Sequence, residues 1–146
     1  MKQTWLISTP AALDAFAKKL APYLHLGHVI TLSGSLGSGK TTLVQFLANH
    51  LGVGSRVISP TFTLMKIYRL PQGRLLHVDA YRLSSSQGLG LEDETGNDTI
   101  TMIEWPEKLS TIPEGIRISI NLTINEDQSR FISLEGPIPS FQVGQP

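Results

Sequence analysis

Gly34-Ser35-Leu36-Gly37-Ser38-Gly39-Lys40-Thr41 is the stretch whose reading decides the fold. It fits G-x-x-x-x-G-K-[ST], the phosphate-binding loop known as Walker A. Its glycines let the backbone take conformations that a Cβ forbids, and successive N–H groups then turn inward as a cradle for phosphate oxygens. A helix opening at Lys40 adds unpaired N–H groups and the positive end of its dipole. The Lys40 ammonium can reach the β- and γ-phosphates, and the Thr41 hydroxyl can ligate Mg²⁺. The flanks agree. Val29-Ile30-Thr31-Leu32 is a short apolar, β-branched run that reads as a buried strand. Leu43, Phe46, Leu47 and Leu51 recur at helical spacing, and Gly52 can end that helix. A glycine-rich turn that binds nothing is the plain alternative; the complete motif between a strand and a helix argues against it.

Composition narrows the field. A chain of 146 residues is most simply one domain, expected to run to residue 136 with a loose tail over 137–146, where prolines and glycines gather. Twelve basic residues cancel twelve acidic ones, which is not the basic footprint of a stand-alone nucleic-acid binder. The absence of cysteine excludes disulfides and thiolate metal sites. The N-terminus carries no basic segment leading into an apolar signal core, and no apolar run is long enough to span a bilayer. The expectation is a soluble cytoplasmic protein with no membrane partner.

Upstream of the loop, Trp5-Leu6-Ile7 reads as a first strand. Ser8 or Thr9 can cap a helix with Pro10 at its first position. Leu13, Phe16, Ala17, Leu20 and Leu24 form one apolar face, with Lys18 and Lys19 off it in solvent. His25 and His28 flank Gly27 and read as surface residues rather than metal ligands.

Downstream, Val57-Ile58 is brief, and Ser59-Pro60-Thr61-Phe62-Thr63 on its own would be a turn. Beside a phosphate loop, such a hydroxyl-rich segment could instead sense the γ-phosphate and Mg²⁺, as switch loops do. Leu64 to Leu70 looks extended, and Pro71-Gln72-Gly73 turns. Ser84-Ser85-Ser86-Gln87 could start a short helix, weakened by Gly88 and Gly90. Glu92, Asp93 and Glu94 read as a solvated acidic loop. Ile116, Ile118, Ile120, Leu122 and Ile124 alternate with polar residues, as in a strand with one buried face. Phe131 to Leu134 would pair with it, a hairpin adding an antiparallel edge to the sheet.

Phosphate-loop enzymes place a carboxylate at a neighbouring strand end to hold Mg²⁺ directly or through water. Two acids qualify. Leu75-Leu76-His77-Val78-Asp79 and Ile100-Thr101-Met102-Ile103-Glu104 are both apolar runs ending in a carboxylate, so spacing does not choose between Asp79 and Glu104. For either one, a salt bridge or helix cap is the bland alternative. His77 points the same way as Asp79 in a strand, though a packed histidine is the simpler reading. Arg82 fits a structural ion pair better than an arginine finger. Trp105 could wall the site or be merely buried. No N-K-x-D motif is present, and Asp79-Ala80-Tyr81-Arg82 lacks the glycine of a D-x-x-G switch. ATP is favoured over GTP.

The phosphate loop with Thr42, Ser59-Pro60-Thr61-Phe62-Thr63, His77-Val78-Asp79-Ala80-Tyr81-Arg82-Leu83 and Ile103-Glu104-Trp105-Pro106 occur in that order. Together they resemble the bacterial TsaE (YjeE) family, the small ATPase of tRNA threonylcarbamoyladenosine biosynthesis. Walker A alone is shared by many families; the S-P-T-[FY]-T, H-x-D-x-Y-R-L and E-W-P segments are far more specific.

The resemblance implies an α/β fold: a phosphate-loop NTPase-like three-layer sandwich, mainly parallel, with antiparallel edge strands. It implies that Gly34, Ser35, Leu36, Gly37, Ser38, Gly39, Lys40, Thr41 and Thr42 bind ATP. Thr9 and Arg130 would approach the rest of the nucleotide. It makes Thr41 and Glu104 the Mg²⁺ ligands and Lys40 the phosphate-binding cation, with Asp79 beside the metal or the attacking water. Family members work with TsaD and TsaB, which hold the tRNA, and ATP hydrolysis supports turnover of that complex. The Glu92–Thr95 stretch departs from relatives that carry an aromatic pair after the acid. Two other readings share the loop: a small-molecule kinase, against which stands the lack of an arginine-rich lid segment, and a non-catalytic nucleotide-gated binding module.

Overall fold

The computed structural model describes residues 2–60, 64–83 and 91–143. Thr61, Phe62 and Thr63 of the hydroxyl-rich segment, and the short helix expected at 84–87, lie outside the described residues.

One seven-stranded sheet organises the chain: β1 (Lys2–Ile7), β2 (His28–Gly34), β3 (Met65–Leu70), β4 (Gly73–Asp79), β5 (Thr99–Glu104), β6 (Ile116–Ile124) and β7 (Arg130–Glu135), in spatial order β1-β7-β6-β2-β5-β4-β3. β6, β2, β5 and β4 are mutually parallel. β3 runs antiparallel to β4 on one side; β7 runs antiparallel to both β6 and β1 on the other. The expected hairpin is present but is not wholly an edge. β6 pairs parallel with β2 from His28↔Ile116 to Gly34↔Leu122, and β1 closes that side.

Helices α1 (Pro10–Leu20) and α2 (Lys40–Leu51) cover one face of the sheet. Thr9 caps α1 by accepting from the Ala12 N–H at 3.0 Å, with Pro10 in the first turn. Its apolar stripe, Leu13, Phe16, Ala17 and Leu20, meets Leu43, Val44 and Leu47 of α2 and Ile30 and Leu32 of β2. Each Leu, Ile, Val or Phe among them contributes about 1.5–3 kcal/mol on leaving water. Gly52 ends α2 in the left-handed region (φ 102°), its N–H returning to the Ala48 and Asn49 carbonyls. Lys18 and Lys19 are exposed, as their position off the stripe predicts.

The opposite face carries a thinner layer. Val29, Leu76, Val78 and Ile103 pack there against Leu91 of the short helix α3 (Leu91–Glu94), with Leu109 and Ile112 beside them. The acidic stretch expected as a solvated loop therefore forms this helix, and Arg74 ties it to the sheet by donating to the Glu94 carbonyl at 2.8 Å. The tail expected to be loose from residue 137 is held as far as Val143. Ile138 is buried, Gln3 donates to its carbonyl at 2.9 Å, and Phe141 stacks on Trp5 with ring centroids 4.8 Å apart. Apolar side chains among the prolines supply the anchoring that composition alone conceals.

Candidate active site

Parallel strands bring their carboxyl ends to one edge of the sheet, where open α/β folds bind ligands. β2 delivers the glycine-rich loop over residues 34–41 there. β5, beside it, delivers Glu104 opposite Leu32, and β4, one strand further, delivers Asp79 in register with Glu104. Period-two alternation puts Leu75, His77 and Asp79, like Met102 and Glu104, on the α2 side of the sheet.

The loop itself is tightly fitted. A Cβ on Gly34 (φ 150°) would meet the Leu122 carbonyl oxygen of β6 and the Ser38 hydroxyl, and Gly39 takes φ 106° to start α2. The Lys40 ammonium donates to the Gly34 carbonyl at 2.6 Å and the Ser35 carbonyl at 3.0 Å, and lies 4.2 Å from the Trp105 ring centroid. It is 4% exposed. Desolvation holds its pKa below the ordinary lysine value, opposed by the charges of Glu104, Glu107 and Asp79. Arg130 of β7 braces the loop from the far side by donating Nε–H to the Ser38 carbonyl at 3.1 Å.

The two strand-end acids separate in their contacts. Glu104 is 2% exposed. It accepts from the Thr41 hydroxyl on Oε1 at 2.7 Å, and its Oε2 lies 2.6 Å from His77 Nε2. Asp79 instead closes its own turn, accepting from the Tyr81 N–H at 3.0 Å on Oδ1 and from the Ser59 hydroxyl at 3.4 Å on Oδ2. Ser59 opens the hydroxyl-rich segment, so that segment starts at the site. Trp105 takes a left-handed backbone (φ 59°) between Glu104 and Pro106, a strained choice for a bulky residue. It aims the ring over Lys40 and against Tyr81, whose ring centroid is 4.9 Å away.

These groups surround a cleft of about 260 Å³. Leu36, Gly37, Gly39, Lys40, Thr41 and Thr42 line it from the loop side; Asp79, Glu104 and Arg130 line it from the strands. Gly34, Ser35 and Ser38 stand behind, supplying the carbonyls that hold Lys40 and Arg130. Thr9 does not line the cleft. Its hydroxyl is committed to capping α1, one turn before Leu13, which flanks Gly39. Arg82 is exposed and makes no ion pair among the described residues, contrary to expectation; it lines an adjoining cleft with Pro60 and Asp79. Tyr81 and His77 are the groups that pattern reading undervalued. Their signals were the alternation that set His77 on the side of Asp79 and the H-x-D-x-Y-R-L segment that holds both.

The donor chemistry fits Mg²⁺. A hydroxyl and a carboxylate oxygen 2.7 Å apart are hard oxygen donors. No group of three or more His, Cys, Asp or Glu suited to a metal gathers among the described residues.

Comparison with known proteins follows the same line. The family model for "Threonylcarbamoyl adenosine biosynthesis protein TsaE" matches residues 7–132. The tRNA threonylcarbamoyladenosine biosynthesis protein TsaE of Synechocystis sp. is 43% identical over 108 residues, 70% of this chain and 69% of that protein. The Bacillus subtilis protein of the same name is 35% identical over 135 residues, 91% of this chain and 85% of its own length. The crystal structure of Bacillus subtilis YdiB superposes with a TM-score of 0.77 at 29% identity, covering 99% of this chain and 87% of that one. The matched span runs well past the motifs at both ends, and the chain belongs to the TsaE family, proteins of tRNA threonylcarbamoyladenosine biosynthesis.

Proposed function

We propose that this chain is a Mg²⁺-dependent ATPase that binds the TsaD–TsaB complex and supports threonylcarbamoyladenosine modification of tRNA next to the anticodon. The observation that carries the reading is the 2.7 Å contact of the Thr41 hydroxyl with Glu104, in the first turn of the helix that Lys40 opens. Thr41 and Glu104 would hold Mg²⁺, which when bound neutralises charge building on phosphate oxygens. The loop N–H groups and the α2 N-terminus bind the polyphosphate. Lys40, now satisfied by two carbonyls, exchanges them for phosphate oxygens, a stronger charge-assisted bond. Asp79, tied to Ser59 and lining the same cleft, orients the attacking water and couples it to the hydroxyl-rich segment. Arg130 steadies the loop beside the remainder of the nucleotide.

Positioning and charge stabilisation supply most of phosphoryl-transfer catalysis. A small domain with no evident water-activating glutamine among the described residues therefore hydrolyses slowly alone and faster with its partners. A neutral chain suits a protein whose main contact is protein, with tRNA held chiefly by TsaD and TsaB. The test is phosphate release from ATP with and without TsaD–TsaB. Stimulation by the partners, abolished in Lys40→Ala and in Glu104→Ala, is expected. Unchanged stimulated rates in both variants overturn the site, and label passing from ATP into an organic product would mark a kinase instead.

A further inference from the structure

We infer that His77 is a positioning residue: its hydrogen bond to Glu104 fixes that carboxylate with one oxygen turned to the cleft, where Mg²⁺ would be held. The inference rests on Thr41 and Glu104 being the metal-holding pair, and it extends that reading to a residue that touches neither metal nor nucleotide.

The geometry is specific. His77 stands opposite Met102 in the β4–β5 register, two residues before the Asp79↔Glu104 pair. Its side chain reaches diagonally along the shared face to Glu104, a distance within range of a long side chain. The imidazole is 0% exposed and the carboxylate 2%. A carboxylate so buried is costly unless its oxygens are satisfied. Here the two oxygens divide the work. Oε1 faces Thr41 at 2.7 Å, on the cleft side, and Oε2 faces His77 Nε2 at 2.6 Å, on the protein side. The His77 bond therefore stops rotation of the carboxylate and leaves Oε1 turned to the cleft.

A second observation separates this role from packing. His77 Nδ1 is buried with no hydrogen-bond partner among the described residues. Leucine or methionine would fill the space without stranding a ring nitrogen, which is a real cost. The contact with Glu104 is what the imidazole provides in return. A carboxylate oxygen accepts, so in this contact Nε2 donates its N–H to Glu104. A hydrogen bond to a ligating carboxylate is the kind of support that metal sites lose about 10- to 100-fold in affinity without.

The test uses the full chain and ADP as the probe. ADP affinity is measured by calorimetry across a Mg²⁺ titration and in EDTA, with Mn²⁺ binding followed by electron paramagnetic resonance. His77→Leu keeps volume and removes the donor. His77→Gln keeps an N–H donor near the position of Nε2, and His77→Asn keeps polarity but falls short. The Mg²⁺ concentration giving half of the affinity gain should rise about 10- to 100-fold in the Leu and Asn variants, and only about twofold in Gln. Affinity in EDTA should stay at the parent value. A Leu or Asn variant that melts like the parent and keeps its Mg²⁺ dependence overturns the role of His77 alone. Should Leu fail to fold, the Asn–Gln pair gives the same comparison. A parent chain whose ADP affinity ignores Mg²⁺ overturns the Thr41–Glu104 site, and the role of His77 with it.

Discussion

Histidine 28 shows how one residue departs from its reading by position. Its place beside a turn suggests a solvated ring, yet it is 7% exposed. Its Nδ1 accepts from the His25 N–H at 3.2 Å, a bond that only the unprotonated nitrogen can accept. Burial, and then the neighbouring His25, hold its pKa below the ordinary value. The sign of the consequence follows. As pH falls through the ordinary histidine value of about 6.5, the unfolded chain takes up a proton that the native chain refuses. The stability contributed by neutral His28 is complete above that pH and declines below it, until the lowered native pKa is passed. The urea midpoint should therefore drop between pH about 7.5 and about 5.5, more steeply in the parent than in His28→Gln. Equal slopes for the two proteins would exclude His28 as a source. The places of Lys40 and Thr41 at the cleft were legible from the chain, because the G-x-x-x-x-G-K-[ST] pattern sets them at fixed intervals from glycine at the start of a helix. The roles of Asp79 and Glu104 were not separable, since each ends an apolar run. Only the partners of their oxygens distinguish an acid facing Thr41 from one folded onto its own turn.

At the level of elements, helices were read more fully than strand neighbours. The stripe Leu13, Phe16, Ala17, Leu20 and the caps Thr9 and Gly52 carry their physics within a few residues, and the structure keeps them all. The alternation of β6 fixes which side is buried but says nothing of whether its other neighbour runs parallel. That needed the placement of β2 between β6 and β5. The same placement explains Glu104: β5 borders the loop-bearing strand and β4 does not. Thr9 poses a sharper question, because family resemblance draws it toward the nucleotide while its hydroxyl caps α1. Thr9→Ala should lower the unfolding free energy by about 1 kcal/mol, and Thr9→Ser should restore most of it. ADP affinity in Mg²⁺, measured alongside denaturation, should be the same in both. A weakened affinity with unchanged stability would instead assign the hydroxyl to the nucleotide.

At the scale of the whole molecule, the described N- and C-terminal segments meet each other. Gln3 joins residues 135 positions apart in sequence through the Ile138 carbonyl, and the Trp5 indole N–H donates to the Phe141 carbonyl at 3.3 Å. The Phe141 ring stacks on Trp5 and on Tyr23, and Trp5 meets Phe16 edge-on at 4.9 Å, so the C-terminal segment packs between β1 and the α1 side of the sheet. Prolines and glycines concealed this because they report backbone preference; anchoring is decided by where the few apolar side chains among them land. None of these groups lines the cleft. Closure and nucleotide binding should therefore be separable. Phe141→Ala removes a half-buried ring and its contacts with the Trp5, Phe16 and Tyr23 rings, a loss of about 2 kcal/mol in unfolding free energy. The Trp5 emission should shift as the indole gains water, while ADP affinity in Mg²⁺ stays at the parent value. Denaturation and calorimetry on one preparation decide it. A variant as stable as the parent would mean that the stacked ring contributes nothing. A variant of lowered stability and lowered affinity would mean that the clasp, through α1 and the Leu13 side chain beside Gly39, also holds the glycine-rich loop in shape.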